Sequence, residues 1–350
     1  TLNYAEHLLA RAQRADAEQQ PAIVFKSELD RDQTITWSQL NGRVGALMKT
    51  LRALNIEPGD RVVSYMPNIP HTGTAMMATV GIGAIWSSCS PDMGAVGVLD
   101  RFRQIEPTVL FAVDGYRYGG KDYDRREQVR QMVRELPSIR AVVFVPYLNE
   151  QNSLSLPGDC QAHVIGWEQA TVNSVAPDFT AVPFDHPLWI VYSSGTTGMP
   201  KPIVHGHGGA WIESLKGNAL HLDVQDDDRF LWYTSTSWIM WNLWIGTLAN
   251  GATIVHYDGN PGDPDLNTLW RFAQDQRATF FGTSPAFIGL NIKAGIEPAR
   301  DFDLSALRTV GATGSPLTDN GYRWIYEQVS NNVLLASISG GTDPGAAFLT

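Results

Sequence analysis

The fold of this chain is decided by one stretch of sequence, Tyr192-Ser193-Ser194-Gly195-Thr196-Thr197-Gly198-Met199-Pro200-Lys201. It directly follows the apolar run 188–191, which predicts a buried strand. Glycines in such a loop let backbone N–H groups approach phosphate oxygens, while hydroxyls and an ammonium group supply further donors and positive charge. We therefore predict that the loop binds the phosphates of a nucleoside triphosphate. A surface turn without a ligand is the alternative, because loops rich in Ser, Thr and Gly are common.

The spacing within this loop differs from that of the common P-loop. In a P-loop the lysine directly follows a glycine and precedes a Ser or Thr. Here two residues separate Gly198 from Lys201, and Pro202 follows the lysine. The sequence therefore disfavours a Walker-type NTPase.

Composition places the chain among globular proteins that do not bind nucleic acid. Its 350 residues suggest about two domains, and 43% of them are hydrophobic, which is enough for sizeable cores. Lys and Arg number 26 against 36 Asp and Glu, so the formal net charge is -10. Because a chain of this charge repels a phosphate backbone, we do not expect nucleic acid as a partner. The sequence does not determine the oligomeric state.

Cysteine usage and hydropathy favour the cytoplasm. Cys89 and Cys160 are far apart and have no metal-like spacing, which fits a reducing compartment. No stretch approaches the roughly 18 apolar residues that a membrane span needs, and the N-terminus lacks a basic-then-apolar signal pattern. Since the chain starts at Thr1 without a methionine and stops in the apolar run 346–350, we expect a fragment or an incomplete chain.

Strand and helix patterns alternate along most of the chain, which predicts an α/β fold of two doubly wound, mostly parallel sheets covered by helices. The first series includes a long helix capped by Ser38 and a charged helix over 123–136. A polar stretch over 146–187 separates it from a second series. We therefore predict two subdomains, over residues 1–180 and 181–350.

Five short loops rich in Gly, Ser and Thr each follow a predicted strand of the second series. In open parallel sheets, ligands bind outside the carboxyl ends of the strands. We therefore expect all five loops to line one edge and to form one site. They are the Tyr192 loop, 234–237, 282–284, 311–315 and 339–343.

Three of these loops are similar to the motifs of the adenylate-forming superfamily, which includes acyl-CoA synthetases, adenylation domains and luciferases. The stretch 192–201 resembles its phosphate-binding signature, 314–317 its adenine-contacting segment, and 341–343 the segment that ends in a magnesium-binding carboxylate. The motifs occur in the family's order and spacing and span the whole chain. Within the family, residues 231–242 and 338–343 resemble most closely a branch that activates acetoacetate.

The resemblance implies a two-step acid:CoA ligase that uses ATP, Mg²⁺ and coenzyme A. A carboxylate first attacks the α-phosphorus of ATP to give an acyl-adenylate and pyrophosphate, and the thiol of coenzyme A then displaces AMP. Positioning and charge neutralisation dominate such a reaction. The acid implied is acetoacetate or a similar short oxo acid. The alternatives are a short- or medium-chain acyl-CoA synthetase of other specificity and a nucleotide-binding module without turnover.

The resemblance also implies which residues bind the nucleotide. Thr197, Lys201 and Thr342 would be catalytic, with Thr342 at the α-phosphate. The residues implied to bind ATP are Ser193, Ser194, Gly195, Thr196, Thr197, Gly198, Lys201, Gly314, Ser315, Pro316, Gly341 and Thr342. Ser315 and Pro316 are also typical of the N-cap and first residue of the following helix, and both roles are compatible.

Asp343 is implied to bind Mg²⁺, a hard cation that prefers oxygen ligands. Most of the superfamily has Glu there, and Asp is one methylene shorter, so either a water bridges to the metal or the loop shifts. The alternative is a turn-forming Asp before Pro344. Arg117 is implied to meet the phosphates of coenzyme A, with a solvated basic turn as its alternative.

The acyl pocket is implied to include Trp238, Trp241, Asn242 and Gly340. Acetate-specific relatives have a Trp at the position of Gly340, so the glycine leaves room for a longer acyl group. Asn242 would offer an amide to a keto oxygen. The spacing of the tryptophans fits a buried helix face equally well.

His205 and His207 could suggest a metal pair, but no acidic or Cys partner lies nearby in the sequence. We expect His205 to pack beneath the phosphate loop instead. The resemblance further places a ribose-binding aspartate, a hinge and a mobile C-terminal domain beyond Thr350. We therefore expect that domain to be absent and the chain alone to be nearly inactive.

Overall fold

Two seven-stranded sheets, covered by helices, organise the computed structural model of the chain. The structure describes residues 1–158, 160–193 and 198–350. The strands are β1 Pro21–Ser27, β2 Gln33–Thr36, β3 Arg61–Tyr65, β4 Ile85–Cys89, β5 Val109–Val113, β6 Gly115–Tyr118, β7 Lys121–Asp124, β8 Ala141–Val145, β9 His163–Gly166, β10 Pro187–Ser193, β11 Lys201–Gly206, β12 Arg229–Trp232, β13 Thr253–Asp258, β14 Phe280–Thr283, β15 Thr309–Ala312, β16 Leu334–Ser337, β17 Ser339–Gly341 and β18 Ala346–Leu349.

Helices connect most of these strands. They are α1 Tyr4–Leu8, α2 Trp37–Ala53, α3 Pro70–Gly81, α4 Ala95–Phe102, α5 Arg126–Glu135, α6 Trp167–Ala170, α7 His207–Leu215, α8 Ile239–Ile245, α9 Thr268–Asp275, α10 Pro285–Ala294, α11 Pro298–Asp301 and α12 Asp319–Trp324. Short 3-10 turns span Ala10–Gln13 and Gly246–Asn250, and π-helical turns span Lys216–His221 and Ile325–Val329. No helix in the part of the chain that the structure describes is long and apolar enough to cross a membrane.

Sheet I has the strand order β11-β10-β4-β3-β5-β8-β9, and sheet II has the order β16-β15-β14-β12-β13-β1-β2. Within each sheet the strands are parallel, except that β11 runs antiparallel to β10 and β2 antiparallel to β1. β5 and β8 are buried at every position, because helices or the other sheet cover both of their faces. The predicted pair of mostly parallel α/β sheets is confirmed.

The two sheets share one apolar core. A single cluster of buried side chains includes Trp86 and Trp189 of sheet I together with Trp232 and Ile254 of sheet II. Separate clusters cover the outer face of each sheet. The sheets are therefore packed as one body, with helices such as α2 and α3 between and around them.

The sheets do not follow the predicted boundary between residues 180 and 181. β10 and β11 lie after this boundary but complete sheet I, and β1 and β2 lie before it but complete sheet II. Each sheet thus combines strands from 1–180 and 181–350. The division into two subdomains remains a prediction, but it does not separate the two sheets.

Three predicted helix starts were wrong. α2 begins at Trp37, because Thr36 and Gln39 form a reciprocal capping box, so the N-cap lies two residues before the predicted cap at Ser38. α5 begins only at Arg126, because residues 115–124 form the β6–β7 hairpin. α12 begins at Asp319, where the Thr318 hydroxyl accepts a hydrogen bond from the Gly321 amide.

Candidate active site

The strand-end loops belong to two sheet edges that face each other. β10, which precedes the Tyr192 loop, lies in sheet I, while the other four predicted loops follow strands of sheet II. The prediction of one common edge is therefore wrong. The edges nevertheless meet, because the Thr236 hydroxyl donates to the Met66 carbonyl at 2.8 Å and the Ser237 hydroxyl accepts from the Ser90 amide at 2.6 Å.

A cavity of 690 Å³ opens at the carboxyl edge of sheet II, within the size range of small-molecule sites. One wall comes from the loop after β15 and from the β17–β18 hairpin. A second wall comes from α8 and the residue before it, and a third from the end of α7 and the π-helical turn behind it. Predicted site residues that line it are Gly314, Ser315, Pro316, Gly340, Gly341, Thr342 and Trp238.

The structure places the other predicted pocket residues elsewhere. Trp241 is fully buried, and its indole N–H donates to the Asn68 side-chain oxygen at 2.9 Å. Asn242 is buried as well. Among the described residues, neither Trp241, Asn242, Asp343 nor Arg117 lines this cavity. Of the four predicted acyl-pocket residues, the cavity therefore brings together Trp238 and Gly340.

The predicted phosphate loop joins two antiparallel strands. Ser193, the last residue of β10, lies opposite Lys201, the first residue of β11. Lys201 and Gly198 are exposed. Ser194, Gly195, Thr196 and Thr197 lie outside the described residues. The loop thus continues into an edge strand, β11, where the sequence analysis predicted no strand.

His205 of β11 links this hairpin to the segment that follows β17. Its Nδ1 accepts a hydrogen bond from the Trp189 indole N–H at 2.8 Å. Because Nδ1 accepts, the ring proton is on Nε2, which donates to the Asp343 carbonyl oxygen at 2.9 Å. His205 therefore holds the turn that carries Asp343. No group of three potential metal ligands occurs in residues 1–158, 160–193 and 198–350.

The carboxylate of Asp343 is suited to a metal that is shared with phosphates. The residue is exposed, and its backbone oxygen accepts the hydrogen bond from His205. Mg²⁺ is usually held by one or two carboxylates together with substrate phosphate oxygens rather than by an all-protein cage. One exposed carboxylate in the turn that His205 ties to β11 fits that mode.

Gly314, in the predicted adenine-contacting segment, lies close to Trp238, a predicted residue of the acyl pocket. Gly314 has φ +102, a conformation that favours glycine, and a Cβ there would lie 3.5 Å from the Trp238 ring. The Thr313 hydroxyl donates to the Ile338 carbonyl at 2.8 Å, which ties the loop to the end of β16. Ser315 and Pro316 are exposed and precede α12 by several residues, so they do not form its N-cap and first residue.

Gly340 lies in β17 opposite Ala347 of β18. A Cβ at this position would lie 2.3 Å from the Ala346 carbonyl oxygen. A glycine is therefore required by the hairpin itself. This reason is independent of the size of the acyl group that the resemblance implied.

Sequence reasoning missed the third wall of the cavity. It is formed by Glu213, Ser214, Lys216, Gly217, Asn218 and Leu222. The Lys216 ammonium lies 2.6 Å from the Glu213 carboxylate. All but Leu222 fall inside a helix predicted near residues 208–220 that carries no recognisable motif, so only the packing of the π-helical turn reveals them.

Arg117 lies on the β6–β7 hairpin and is already paired. Its guanidinium makes two hydrogen bonds to the Asp122 carboxylate, at 2.6 and 3.0 Å, and this partner lowers the pKa of Asp122. At the hairpin tip, the amides of Gly119 and Gly120 donate to Glu28, each at 2.9 Å. A phosphate bound at Arg117 would therefore compete with Asp122.

An unusual carboxyl group lies at the end of β13. The Tyr147 hydroxyl donates to Asp258 at 2.7 Å. Burial, together with the negative charges of Glu28 and Asp92, raises the pKa of Asp258 to about 7. The pair joins the carboxyl edge of sheet II to the segment after β8 of sheet I.

Comparison with known proteins identifies the family. A family model described as AMP-binding enzyme matches residues 10–342. The chain is 43% identical to acetoacetyl-coenzyme A synthetase of Rhizobium meliloti (strain 1021) over 351 residues, and 40% identical to acetoacetyl-CoA synthetase of Danio rerio over 352 residues. Each alignment covers 99% of this chain and 52% of the relative.

A solved structure of acetoacetyl-CoA synthetase from Streptomyces lividans is similar to the whole fold. Its TM-score is 0.93 at 48% sequence identity, and the match covers 99% of this chain and 53% of that one. The chain thus spans about half the length of the relatives it matches. Since the family model matches most of the chain, the protein belongs to the AMP-binding enzyme family.

Proposed function

We propose that this chain forms the ATP- and acid-binding part of an AMP-forming acid:CoA ligase whose acid is acetoacetate or a similar short oxo acid. The observation that carries the proposal is that two of the predicted nucleotide motifs line the same cavity. Gly314, Ser315 and Pro316 belong to one motif, and Gly341 and Thr342 belong to the other. The similarity to proteins named acetoacetyl-CoA synthetases supports the choice of acid.

The proposed reaction has two displacements. A carboxylate oxygen of the acid bonds to the α-phosphorus of ATP while the bond to pyrophosphate breaks. The sulfur of coenzyme A then attacks the acyl carbon, the thiol proton leaves, and the electron pair of the breaking C–O bond departs with AMP. Neither step requires a covalent intermediate with the protein, so its residues act by positioning and by neutralising charge.

In this proposal the β10–β11 hairpin holds the leaving pyrophosphate. The phosphate contacts come from Ser193 to Gly198 and from Lys201, and Thr342 contacts the α-phosphate. Asp343 holds Mg²⁺, which supplies positive charge next to the phosphates when bound. The support from the fold is the His205 contact, which joins β11 to the backbone of Asp343.

Coenzyme A is the proposed acceptor of the acyl group. Arg117 on the β6–β7 hairpin is the proposed phosphate contact, in exchange for its present partner Asp122. We further propose a cytoplasmic location. It is supported by two free cysteines, Cys89 and Cys160, which a reducing compartment would keep unpaired.

Nucleotide binding without turnover is the second candidate, because the chain spans about half the length of its relatives. Both candidates are tested by acid-dependent exchange of labelled pyrophosphate into ATP. The assay is run on this chain and on a chimera in which the second half of the Streptomyces lividans protein follows Thr350. We expect exchange with acetoacetate in the chimera and ATP binding with little exchange in the chain alone.

Two outcomes contradict the main proposal. Release of ADP instead of AMP would exclude adenylation. Faster exchange with acetate than with acetoacetate would show that the acid is wrongly assigned, although the reaction class would stand.

A further inference from the structure

Thr342 and Asp343 lie in a short turn that connects β17 to β18. The turn is closed on itself, because the Gly345 amide donates to the Gly341 carbonyl at 3.1 Å. Gly345 has φ +58, a left-handed conformation that favours glycine. The positions of Thr342 and Asp343 in the site therefore depend on what holds this turn against the rest of the molecule.

The imidazole of His205 contacts this turn at two points. Its Nε2 donates to the Asp343 carbonyl oxygen at 2.9 Å. A Cβ placed on Gly345 would lie 3.0 Å from Cε1 of the ring and 3.3 Å from both ring nitrogens, so the ring packs directly against the turn. One hydrogen bond and one packing contact together fix both the distance and the orientation of the turn.

The opposite side of the imidazole is anchored in the core of sheet I. The Trp189 indole N–H donates to Nδ1 of His205 at 2.8 Å, and the two residues are paired in the β10–β11 register. Trp189 is only 1% exposed, so this donor is held in place by the core. Because the indole N–H occupies Nδ1, the ring proton is on Nε2, where the Asp343 carbonyl needs a donor. The buried tryptophan thus selects the tautomer that can hold the turn.

His205 also fixes the turn relative to Lys201. The two residues are four positions apart in β11, so they lie on the same face of the strand, about 13 Å apart along it. β11 belongs to sheet I, whereas the turn follows β16 of sheet II by way of β17. The imidazole therefore links the two halves of the proposed phosphate site across the two sheets.

We propose that His205 is a positioning residue that holds Thr342 and Asp343 at a fixed distance from the phosphate contacts of the β10–β11 hairpin. This role rests on the proposed function, in which Asp343 holds Mg²⁺. Loss of a group that orients a metal ligand costs about 10–100-fold in metal affinity. We therefore expect that breaking the contact between His205 and the turn weakens the part of ATP binding that depends on Mg²⁺.

Two substitutions separate the two hydrogen bonds of the ring. The amide nitrogen of glutamine is as many bonds from Cα as Nε2 of histidine, so His205→Gln can still donate to the Asp343 carbonyl. The amide oxygen of asparagine is as many bonds from Cα as Nδ1, so His205→Asn can still accept from Trp189 but cannot reach Asp343.

The measurement is a calorimetric titration of ATP into the chain, with Mg²⁺ and with EDTA. The ratio of the two affinities is the Mg²⁺ enhancement. His205→Asn should lower this enhancement about tenfold or more, whereas His205→Gln should keep most of it. Affinity in EDTA should be the same in the wild type and both variants. A purely structural role would instead weaken ATP binding in both conditions and leave the ratio unchanged.

A third variant tests the same contact from the side of the turn. Gly345→Ala leaves His205 in place but puts a Cβ 3.0 Å from its ring, so it should also lower the enhancement. His163→Asn changes an exposed histidine of β9 and should leave the enhancement intact. Thermal unfolding midpoints of all variants, measured in parallel, show which of them are folded.

The outcomes distinguish this role from the proposed function. The role is overturned if the enhancement survives in the folded variants among His205→Asn and Gly345→Ala, or if His205→Gln loses it as fully as His205→Asn does. It is also overturned if the wild-type chain binds ATP without any Mg²⁺ enhancement, although nucleotide binding would then stand. Failure of the wild-type chain to bind ATP in either condition would overturn the proposed function as well.

Discussion

Lys201 is the charged residue of the predicted phosphate loop whose position the structure describes. It lies opposite Ser193 at the start of β11 and is exposed. If its ammonium contacts the phosphates of ATP, Lys201→Met should weaken MgATP binding by about 1.5–3 kcal/mol, which is the range for a hydrogen bond that involves a charged group. Calorimetric titration of MgATP into the chain measures the change.

The matched control for this variant is Lys293→Met. Lys293 is an exposed lysine in the last turn of α10, away from the cavity. It should leave the dissociation constant of MgATP unaltered. Equal affinities of the Lys201 variant and the wild type would show that the loop lysine is not a phosphate ligand.

Asp258 gives a prediction for the effect of pH on stability. Its pKa is raised to about 7 in the fold, so the folded chain keeps a proton that the unfolded chain releases above about pH 4. The stability from this group is therefore fully present below about pH 4 and is lost progressively as pH rises to 7. Asp258→Asn, which stays neutral, should gain about 2–3 kcal/mol of stability relative to the wild type between pH 5 and pH 8, because the wild type loses about 1.4 kcal/mol per pH unit between about pH 4 and pH 7.

Urea denaturation of wild type and variant at both pH values measures this difference. The Tyr147 hydroxyl can donate to the amide oxygen of the asparagine as it does to the carboxylate. A difference that is the same at pH 5 and pH 8 would contradict the raised pKa.

At the scale of residues, the sequence revealed those parts of the site that have a local signal. The glycines and hydroxyls around Gly314 and Thr342 follow apolar strands, and the structure places them in one cavity. Asn218 also lines this cavity but has no local signal, because it lies in a π-helical turn that no sequence motif marks. Trp238 and Trp241 are three residues apart, so the helical pattern does not distinguish them. Trp241 is the buried one, and its indole N–H donates to Asn68, which is distant in sequence.

At the scale of elements, the β17–β18 hairpin is sensitive to any side chain at Gly340. A Cβ would lie 2.3 Å from the Ala346 carbonyl, so Gly340→Ala should force the strands apart and destabilise the chain by about 1–3 kcal/mol. Gly289→Ala is the matched control, since its Cβ would meet no atom within 4 Å in helix α10. It should stabilise by about 0.5–1 kcal/mol. Thermal unfolding midpoints that rise in both variants would argue against a tight hairpin.

The elements that the sequence missed are hairpin strands. β11 begins with Lys201 and Pro202, and a proline is compatible only with an edge strand, so its local pattern is weak. β6 and β7 are partly exposed and contain polar residues, so they were not predicted as strands, and the last two residues of β7 fell within the charged helix predicted over 123–136. The buried parallel strands were predicted well, because burial on both faces gives continuous apolar runs.

At the scale of the whole molecule, three buried histidines predict the response to acid. Burial lowers the pKa of His71 and His207 to about 4 and that of His256 to about 3, so all three are neutral in the fold. The unfolded chain binds protons at these residues below about pH 6.5. At Asp258 the folded chain binds the additional proton, so this residue reduces the net proton uptake on unfolding. Near pH 5 unfolding should therefore take up about two protons, and stability should fall by about 3 kcal/mol per pH unit of acidification.

Denaturation midpoints at closely spaced pH values between 5 and 6 measure this slope. His256→Phe should reduce the slope by about one proton, and His163→Gln, which changes an exposed histidine, should not alter it. A slope that is unchanged in the His256 variant would contradict the lowered pKa.

Each sheet combines strands from both halves of the chain. The strands of the two sheets are therefore completed at different times during synthesis. β1 is synthesised early, but its partner strand β13 ends only at Asp258. At a synthesis rate of about 5–20 residues per second, β13 is complete roughly 10–50 s after β1. A hairpin of β1 and β2 alone is only marginally stable in water. The apolar side chains of Ile23 and Phe25 therefore lack the neighbouring strand β13 during that time. The last strand of sheet I, β11, ends at Gly206. The growing chain can therefore close sheet I first and assemble sheet II on it, which makes β1 the segment that a nascent-chain chaperone would need to shield.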